Sequence, residues 1–416
     1  MKFKLTKSEK SWILYDVGNS AFVLLVATIM PIYFNALASG AGLSDTAYLA
    51  YWGYAASAAT LAVAVLGPVL GTLADTRGFK KPLFLCTILV GCIGCVSLGF
   101  AGHWLVFLVI YIIAKIGYNG SLIFYDSMLS DVTEPARMDQ VSSHGYAWGY
   151  IGSCIPFVVC LLLVLNCETI GMTMGTAMAV AFALIAAWWF LMSLPLLRGY
   201  RQKYYVERRP HAIAESFRRL GRTFAHVKQE KKIFIFLLAF FFYIDGVYTI
   251  IDMATAYGTA LGFATTGLLL ALLLTQIVAF PFAILFGRLA KKYDTARLIT
   301  LCIVAYFGIA VFAMFLVHQW QFWLLAVLVG MFQGGVQALS RSYFTKIIPA
   351  EQSGEYFGLL DICGKGASFV GTTLVGVVSQ VTHNINLGVG AIALLFAVGI
   401  CFFRLAVRTE STVQNP

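Results

Sequence analysis

Apolar runs of about 20 or more residues, separated by short polar turns, recur along all 416 residues. At 1.5 Å of rise per residue, a helical run of that length crosses the roughly 30 Å of hydrocarbon in a bilayer. Twelve spans are predicted, at residues 12–38, 46–74, 81–101, 103–131, 140–166, 172–197, 233–261, 264–290, 296–317, 319–347, 354–380 and 384–407. The chain therefore reads as an all-α membrane protein. One long polar interruption, Arg198 to Lys232, carries eleven Lys or Arg against three Glu. It is predicted to be a basic cytoplasmic linker (198–232) joining an N-terminal six-helix bundle (1–197) to a C-terminal one (233–416). Within it, residues 211–228 have the spacing of a basic amphipathic helix suited to an anionic leaflet.

The composition, 60% hydrophobic and 12% charged, agrees with that picture. The net charge of +10 changes it only in orientation. Of the 29 Lys and Arg, all but Lys115 and Lys365 fall on or at one face. Positive loops stay inside, so both termini are expected in the cytoplasm, with the chain in the cell membrane. The basic residues form no soluble domain, and no nucleic-acid partner is expected. Expected partners are a small-molecule solute and the lipid bilayer, with the protein itself a monomer. Asp16 and Asn19 interrupt the first apolar run, and no small-x-small cleavage site follows, so the start reads as an uncleaved helix. The nine cysteines lie within or at the edges of spans and imply neither a disulfide framework nor a metal site.

An internal repeat divides the chain. GTLADTRGFKK, Gly71–Lys81, returns as GRLAKKYDTAR, Gly287–Arg297, 216 residues later. Trp104 and Trp320 share that offset, and Pro135-Ala136 recurs as Pro349-Ala350 at 214. Six spans per half is an even number, so the halves share one orientation and can rock about a central cavity. The copy is imperfect: Lys291 stands where the first half has Asp75.

A charge at mid-bilayer costs about 2.5–3.5 kcal/mol on insertion scales, so buried polarity marks function or pairing. Spans 3, 6, 9 and 12 hold no charged residue in their interiors and are expected to face lipid. Spans 1, 4, 7, 10 and 11 are expected to face the cavity. In span 7, Asp245, Tyr248, Thr249 and Asp252 follow i, i+3, i+4, i+7 spacing and form one polar stripe. Span 11 repeats this with Asp361, Lys365, Ser368 and Thr372. Span 4 sets Lys115, Asn119 and Asp126 within about 40° of one another. Span 10 offers Gln333, Gln337 and Arg341, and span 1 offers Asp16, Asn19 and Ser20. Counted at 1.5 Å per residue, Lys115 and Lys365 lie about 15 Å deep, near the midplane.

Two readings of these charges compete. Asp361 with Lys365, or Lys115 with Asp245, could be static ion pairs joining helices. Alternatively they hold a charged or zwitterionic solute. Burial raises a carboxylate's pKa and a neighbouring lysine lowers it, so a pair that opens and closes gains and loses a proton. Proton coupling is expected on that ground; a sodium site is less favoured but stays open. No P-loop, nucleophile elbow or HExxH occurs, so neither ATP chemistry nor enzymatic catalysis is expected, and no cofactor.

GTLADTRGFKK resembles the loop between the second and third helices of the major facilitator superfamily, through Gly71, Leu73, Ala74, Asp75, Gly78, Lys80 and Lys81. The resemblance implies a gate in which Asp75 and Arg77 hold helix ends together on the cytoplasmic side. Asp131, at the end of span 4, is the expected acceptor for Arg77, and Arg341 joins Gly71, Gly78 and these residues in the gating set. YDVGNSAF (15–22), FYDSMLSD (124–131), SSHGYAWGYIGS (142–153), FFYIDGVYTI (241–250), GGVQALSRSYF (334–344) and EYFGL (355–359) are similar to the vacuolar effluxer-like branch, whose fungal members are implicated in amino-acid release after autophagy. The resemblance implies a secondary active transporter of a small polar or zwitterionic solute, with an amino acid as first candidate. Sugar, nucleoside or organic-anion transport, or a non-transporting membrane sensor or scaffold, are the alternatives.

Overall fold

The computed structural model describes residues 3–207 and 230–413, with the side chains of 32, 45–50, 265, 365–369 and 410–413 left aside. The amphipathic helix expected at 211–228 lies outside the described residues, as does the side chain of Lys365. The helices of the first half are α1 (Lys7–Ala27), α2 (Ile29–Gly40), α3 (Asp45–Ala74), α4 (Lys80–Leu98), α5 (Trp104–Ser127), α6 (Leu129–Val132), α7 (Met138–Leu165) and α8 (Met174–Gly199). Those of the second are α9 (Lys231–Ala260), α10 (Thr265–Leu289), α11 (Thr295–Ala313), α12 (Gln319–Ile347), α13 (Ser353–Thr382), α14 (Ile385–Gly390) and α15 (Ile392–Val413).

Eleven spans among the described residues are long and apolar enough to cross a membrane. The predicted span 11 corresponds to α13, whose 30 residues are long enough to cross and whose described C-terminal stretch, Val370–Thr382, is apolar. Predicted span 1 is observed as α1 and α2, broken at Thr28. There the hydroxyl donates to the Leu24 carbonyl at 2.5 Å, and the backbone leaves the helical region. A capping box starts α1: Glu9 N–H donates to Thr6 Oγ1 at 3.2 Å and Thr6 N–H to Glu9 Oε2 at 2.7 Å.

Buried apolar side chains gather into two clusters. One draws on residues 12–200, and the other on 233–406 together with Val63 and Ile123. Burial is greatest on α9 and α12, each 67% buried over its apolar stretch, and least on α10, at 28%. The two former helices are therefore central. The helices α4, α8, α11 and α15, whose charged residues lie only toward one end of each, expose Ile93, Leu191, Leu301 and Leu394, the surface a lipid contact needs.

The halves touch most closely where α3 meets α13. Gly71 lies so near Gly354 that a Cβ would run into the Gly354 backbone, and a Cβ on Gly358 would run into the backbone at Gly67 and Pro68. The second seam joins α7 to α10, where a Cβ on Gly287 would meet Ser143 at 2.7 Å and Gln140 at 3.4 Å. These contacts obey the repeat, since Gly71 and Gly287 are 216 apart and Gly354 and Gln140 are 214 apart.

Candidate functional site

On the face where the 71–81 loop and the start of the linker lie, three polar clusters bind one half to the other. In the first, the chain turns at Gly78, whose φ of 81° is a conformation that favours glycine, and α4 begins with Lys80 pointing inward. Asp75 Oδ1 accepts from Gly354 N–H at 2.7 Å and Oδ2 from Glu355 N–H at 2.9 Å. The carboxylate therefore caps the positive end of α13. Lys80 Nζ lies 3.6 Å from Asp75 and 3.8 Å from Asp131, and donates to Ser353 Oγ at 3.0 Å. Asp75 and Lys80 are both fully buried.

The expected Arg77–Asp131 pair is absent. Arg77 projects outward to Glu207 at 3.5 Å and lies over the Tyr205 ring. Asp131 instead takes Lys80, the Tyr200 hydroxyl at 2.5 Å, and the Lys203 and Tyr204 amides at 2.9 and 3.0 Å. Burial and the Asp131 carboxylate together push the Tyr200 phenol well above the usual tyrosine range, so it remains a donor. The physical reason for the difference is position. Arg77 sits in the exposed turn before Gly78, whereas Lys80 follows it on the helix that packs inward.

The second cluster surrounds Arg341, about 9 Å before the end of α12. Its Nη1 donates to Asp126 Oδ1 at 2.9 Å, Nε to Ser142 Oγ at 2.9 Å, and Nη2 to the Ser142 carbonyl at 3.0 Å. Asp16 Oδ2 is 3.7 Å away and also accepts from the Tyr125 hydroxyl at 3.0 Å. The guanidinium is packed among the Trp12, Tyr125 and Tyr146 rings, with Tyr146 at 4.3 Å. In the third cluster, Asp139 accepts from Lys346 Nζ at 2.5 Å, Thr295 Oγ1 at 3.0 Å and Ser342 Oγ at 2.6 Å. Ser142 Oγ to the Ala338 carbonyl at 2.7 Å and Tyr150 OH to Gln337 Oε1 at 2.6 Å add neutral links.

One rule covers all three clusters. The carboxylates that cross the seam, Asp75, Asp16, Asp126 and Asp139, belong to the first half. Their donors, the α13 amides, Arg341, Lys346, Thr295 and Ser342, belong to the second. Opening this face separates unlike charges and rewets them.

Nearer mid-membrane the arrangement differs. Asp245 Oδ1 accepts from Gly371 N–H at 3.1 Å and Thr249 Oγ1 at 3.2 Å, while Oδ2 is buried without a hydrogen-bond partner among the described residues. Gln333 Oε1 and Asn19 Nδ2 share that condition. An unsatisfied buried polar atom costs roughly 1–3 kcal/mol, so these groups favour an arriving partner. Asn119 is also buried, and Tyr248 and Asp361 are half-buried.

The expected Lys115–Asp245 pair does not form either. Lys115 lies 5.6 Å over the Tyr111 ring and interacts with the charge of Asp252, two turns further along α9. Asp252 is exposed although it lies about 12 Å inside the C-terminal end of α9, so it borders a cleft between the halves. Sequence reasoning treated Lys80 as a loop cation and left Asp139, Ser142, Tyr150 and Lys346 out of the site. The imperfect repeat alone hinted that the second seam needed other residues.

A dozen spanning helices, an internal repeat with both halves facing the same way, and a polar seal at one end of the seam define a transporter of the major facilitator fold. Residues 6–415 match the family described as vacuole effluxer Atg22 like, and the chain belongs to that family. It is 41% identical over 417 residues to the uncharacterized MFS-type transporter YxiO of Bacillus subtilis, covering 99% of this chain and 97% of the relative. Autophagy-related protein 22 of Eremothecium gossypii is 26% identical over 362 residues, covering 78% of this chain and 70% of the relative. The fold resembles FucP, a major facilitator transporter solved in the outward conformation, with TM-score 0.71, 14% identity, and 96% and 97% of the two chains covered. The chain is a multi-pass membrane protein.

Proposed function

We propose that the protein is a secondary active transporter that moves a small zwitterionic solute, an amino acid being the first candidate, by rocking its two halves about the central cleft. The observation that carries this reading is the pair of opposite charges, Lys115 on the first half and Asp252 on the second, bordering a cleft above a sealed face. A solute carboxylate would meet Lys115 and a solute ammonium would meet Asp252. Each solute charge then replaces the counter-ion that the pair gives up. A neutral sugar would leave both desolvated charges unmatched, which penalises it.

In this reading Asp245 carries the coupling proton, because its second oxygen is buried without a hydrogen-bond partner where α9 meets α13; sodium is the alternative ion. The halves are 1–197 and 233–416, the linker 198–232 lies in the cytoplasm with both termini, and the protein works as a monomer in the cell membrane without a cofactor. The family description, vacuole effluxer Atg22 like, fits a role in solute export, and the direction here follows the ion gradient.

A ligand-stabilisation screen on the purified chain, using amino acids, sugars, nucleosides and organic anions, supplies the solute for transport in proteoliposomes. Lys115→Ala and Asp252→Asn are expected to weaken solute binding about tenfold or more, equivalent to about 1.4 kcal/mol. Asp245→Asn should keep solute counterflow but lose accumulation driven by a pH gradient. Unchanged binding in the first two variants would refute the zwitterion site, and unchanged accumulation in the third would refute the proton role.

A further inference from the structure

A cavity of about 450 Å³ opens beside the second seam, lined by Phe3, Gln140, His144, Ile284, Arg288 and Lys291 around Gly287. Arg288 and Lys291 are exposed, and no carboxylate belongs to the lining. The lining joins the two halves, with Gln140 and His144 on α7 and the cations on and just beyond α10. Phe3 forms its floor: the His144 ring stacks on it at 5.7 Å, and Lys291 Nζ lies 5.0 Å from its centre. Glu9, the acid whose charge also reaches His144, is already engaged by Arg137 at 2.7 Å and by Thr133.

The internal repeat gives this cavity a counterpart. Gly71 against Gly354 corresponds to Gly287 against Gln140, and Asp75 corresponds to Lys291. At the first seam a carboxylate of the chain itself ties the two halves together. At the second, that position is cationic and a further cation, Arg288, stands beside it. We infer that the cavity binds the phosphate of an anionic phospholipid, which supplies from the membrane the negative charge that Asp75 supplies at the first seam.

The apolar side of the site favours a lipid over a free anion. Ile284 forms one wall, and exposed Leu285 and Trp148 continue along α10 and α7, Trp148 meeting Phe280 edge-on at 5.3 Å. A headgroup phosphate reaches Arg288, Lys291 and Gln140 while its acyl chain follows that seam. Arginine suits the headgroup because its fork offers two parallel donors to phosphate oxygens. Bound there, the lipid bridges the halves and favours the closed linker face.

Native mass spectrometry of the full chain with phosphatidylglycerol or phosphatidylcholine of equal chain length tests this. Phosphatidylglycerol should be retained preferentially, and the double variant Arg288→Gln, Lys291→Gln should lose that preference, by about thirtyfold on the scale of two juxtamembrane cations. Lys291→Asp, which restores the first-half residue at an exposed position, should lose it too. Unchanged phosphatidylcholine binding and thermal unfolding in these variants would show that the fold is intact. Equal retention of both lipids by the unaltered chain, or a preference that survives in the double variant, would overturn the proposal. Inorganic phosphate that stabilises the chain as much as phosphatidylglycerol would also overturn the lipid site, in favour of a small-anion site.

Discussion

Arg341→Ala is expected to shift the protein away from the closed linker face by about 2 kcal/mol or more, roughly thirtyfold in population. The guanidinium is the shared cation of Asp126 at 2.9 Å and Asp16 at 3.7 Å, in a site that is nearly water-free. Removing it leaves buried Asp16 and partly exposed Asp126 without their shared cation and deprives Ser142 of both contacts with Arg341. Breaking a buried pair from one side costs about 3–5 kcal/mol in general; opening the face lets water return and recovers part of it. Arg341→Lys should recover little, because a single ammonium cannot reach Asp126, Ser142 Oγ and the Ser142 carbonyl together, nor stack among three rings. The readout is maleimide labelling of a cysteine at Ala338, a fully buried position, with the two exposed cysteines, Cys86 and Cys401, replaced by Ser. Labelling should be slow in the parent and faster by at least about tenfold with Arg341→Ala.

Lys80→Met should have an effect of similar size at the first seam. The methionine fills nearly the same volume, so any loss is electrostatic rather than a cavity. Asp75 would keep its two amide donors and Asp131 its tyrosine and two amides, but both carboxylates would lose their shared cation in a fully buried setting. A cost of about 3 kcal/mol is expected. It should appear as a lower unfolding temperature together with faster labelling at Ala338. Arg77→Ala, which removes only an exposed pair at 3.5 Å, should change neither by a measurable amount. Equal effects from Lys80→Met and Arg77→Ala would contradict the assignment of the gate to Lys80.

Spans, loops and the two-fold repeat were legible because each leaves a periodic trace. Bilayer thickness sets run length, and the repeat sets equal spacing of the glycines at 71 and 287. The buried charges were legible too, since nothing but pairing or function keeps Asp245 or Lys115 inside a span. Partner choice was not. Asp245 and Asp252 share one face of α9 about 10 Å apart, and which of them meets Lys115 depends on how far α5 is staggered against α9. No pattern within either helix records that stagger. Asp139 and Lys346 looked like ordinary residues at span ends, because their meeting requires α7 and α12 to converge from opposite halves. Lys80 was hidden for a more local reason. One glycine turn separates it from Arg77, and that turn sends one cation outward and the other inward. The break at Thr28 did carry a sequence signal, Pro31 in the first turn of α2, whose missing N–H leaves the Ala27 carbonyl without its helical donor; a threonine hydroxyl bonded back to the Leu24 carbonyl accompanies it.

The central claim is that polar links joining the halves at the linker face must open for solute to pass. Lys346 and Asp139 join α12 to α7 through a 2.5 Å ion pair that is partly accessible to reagents. Cysteines at both positions, with Cys86 and Cys401 replaced, can be bridged by a short reducible bis-thiosulfonate. Uptake into proteoliposomes of the solute found by the stabilisation screen should stop when the bridge forms and resume on reduction, while a one-armed reagent should not stop it. Full-rate uptake by completely bridged protein would contradict the account.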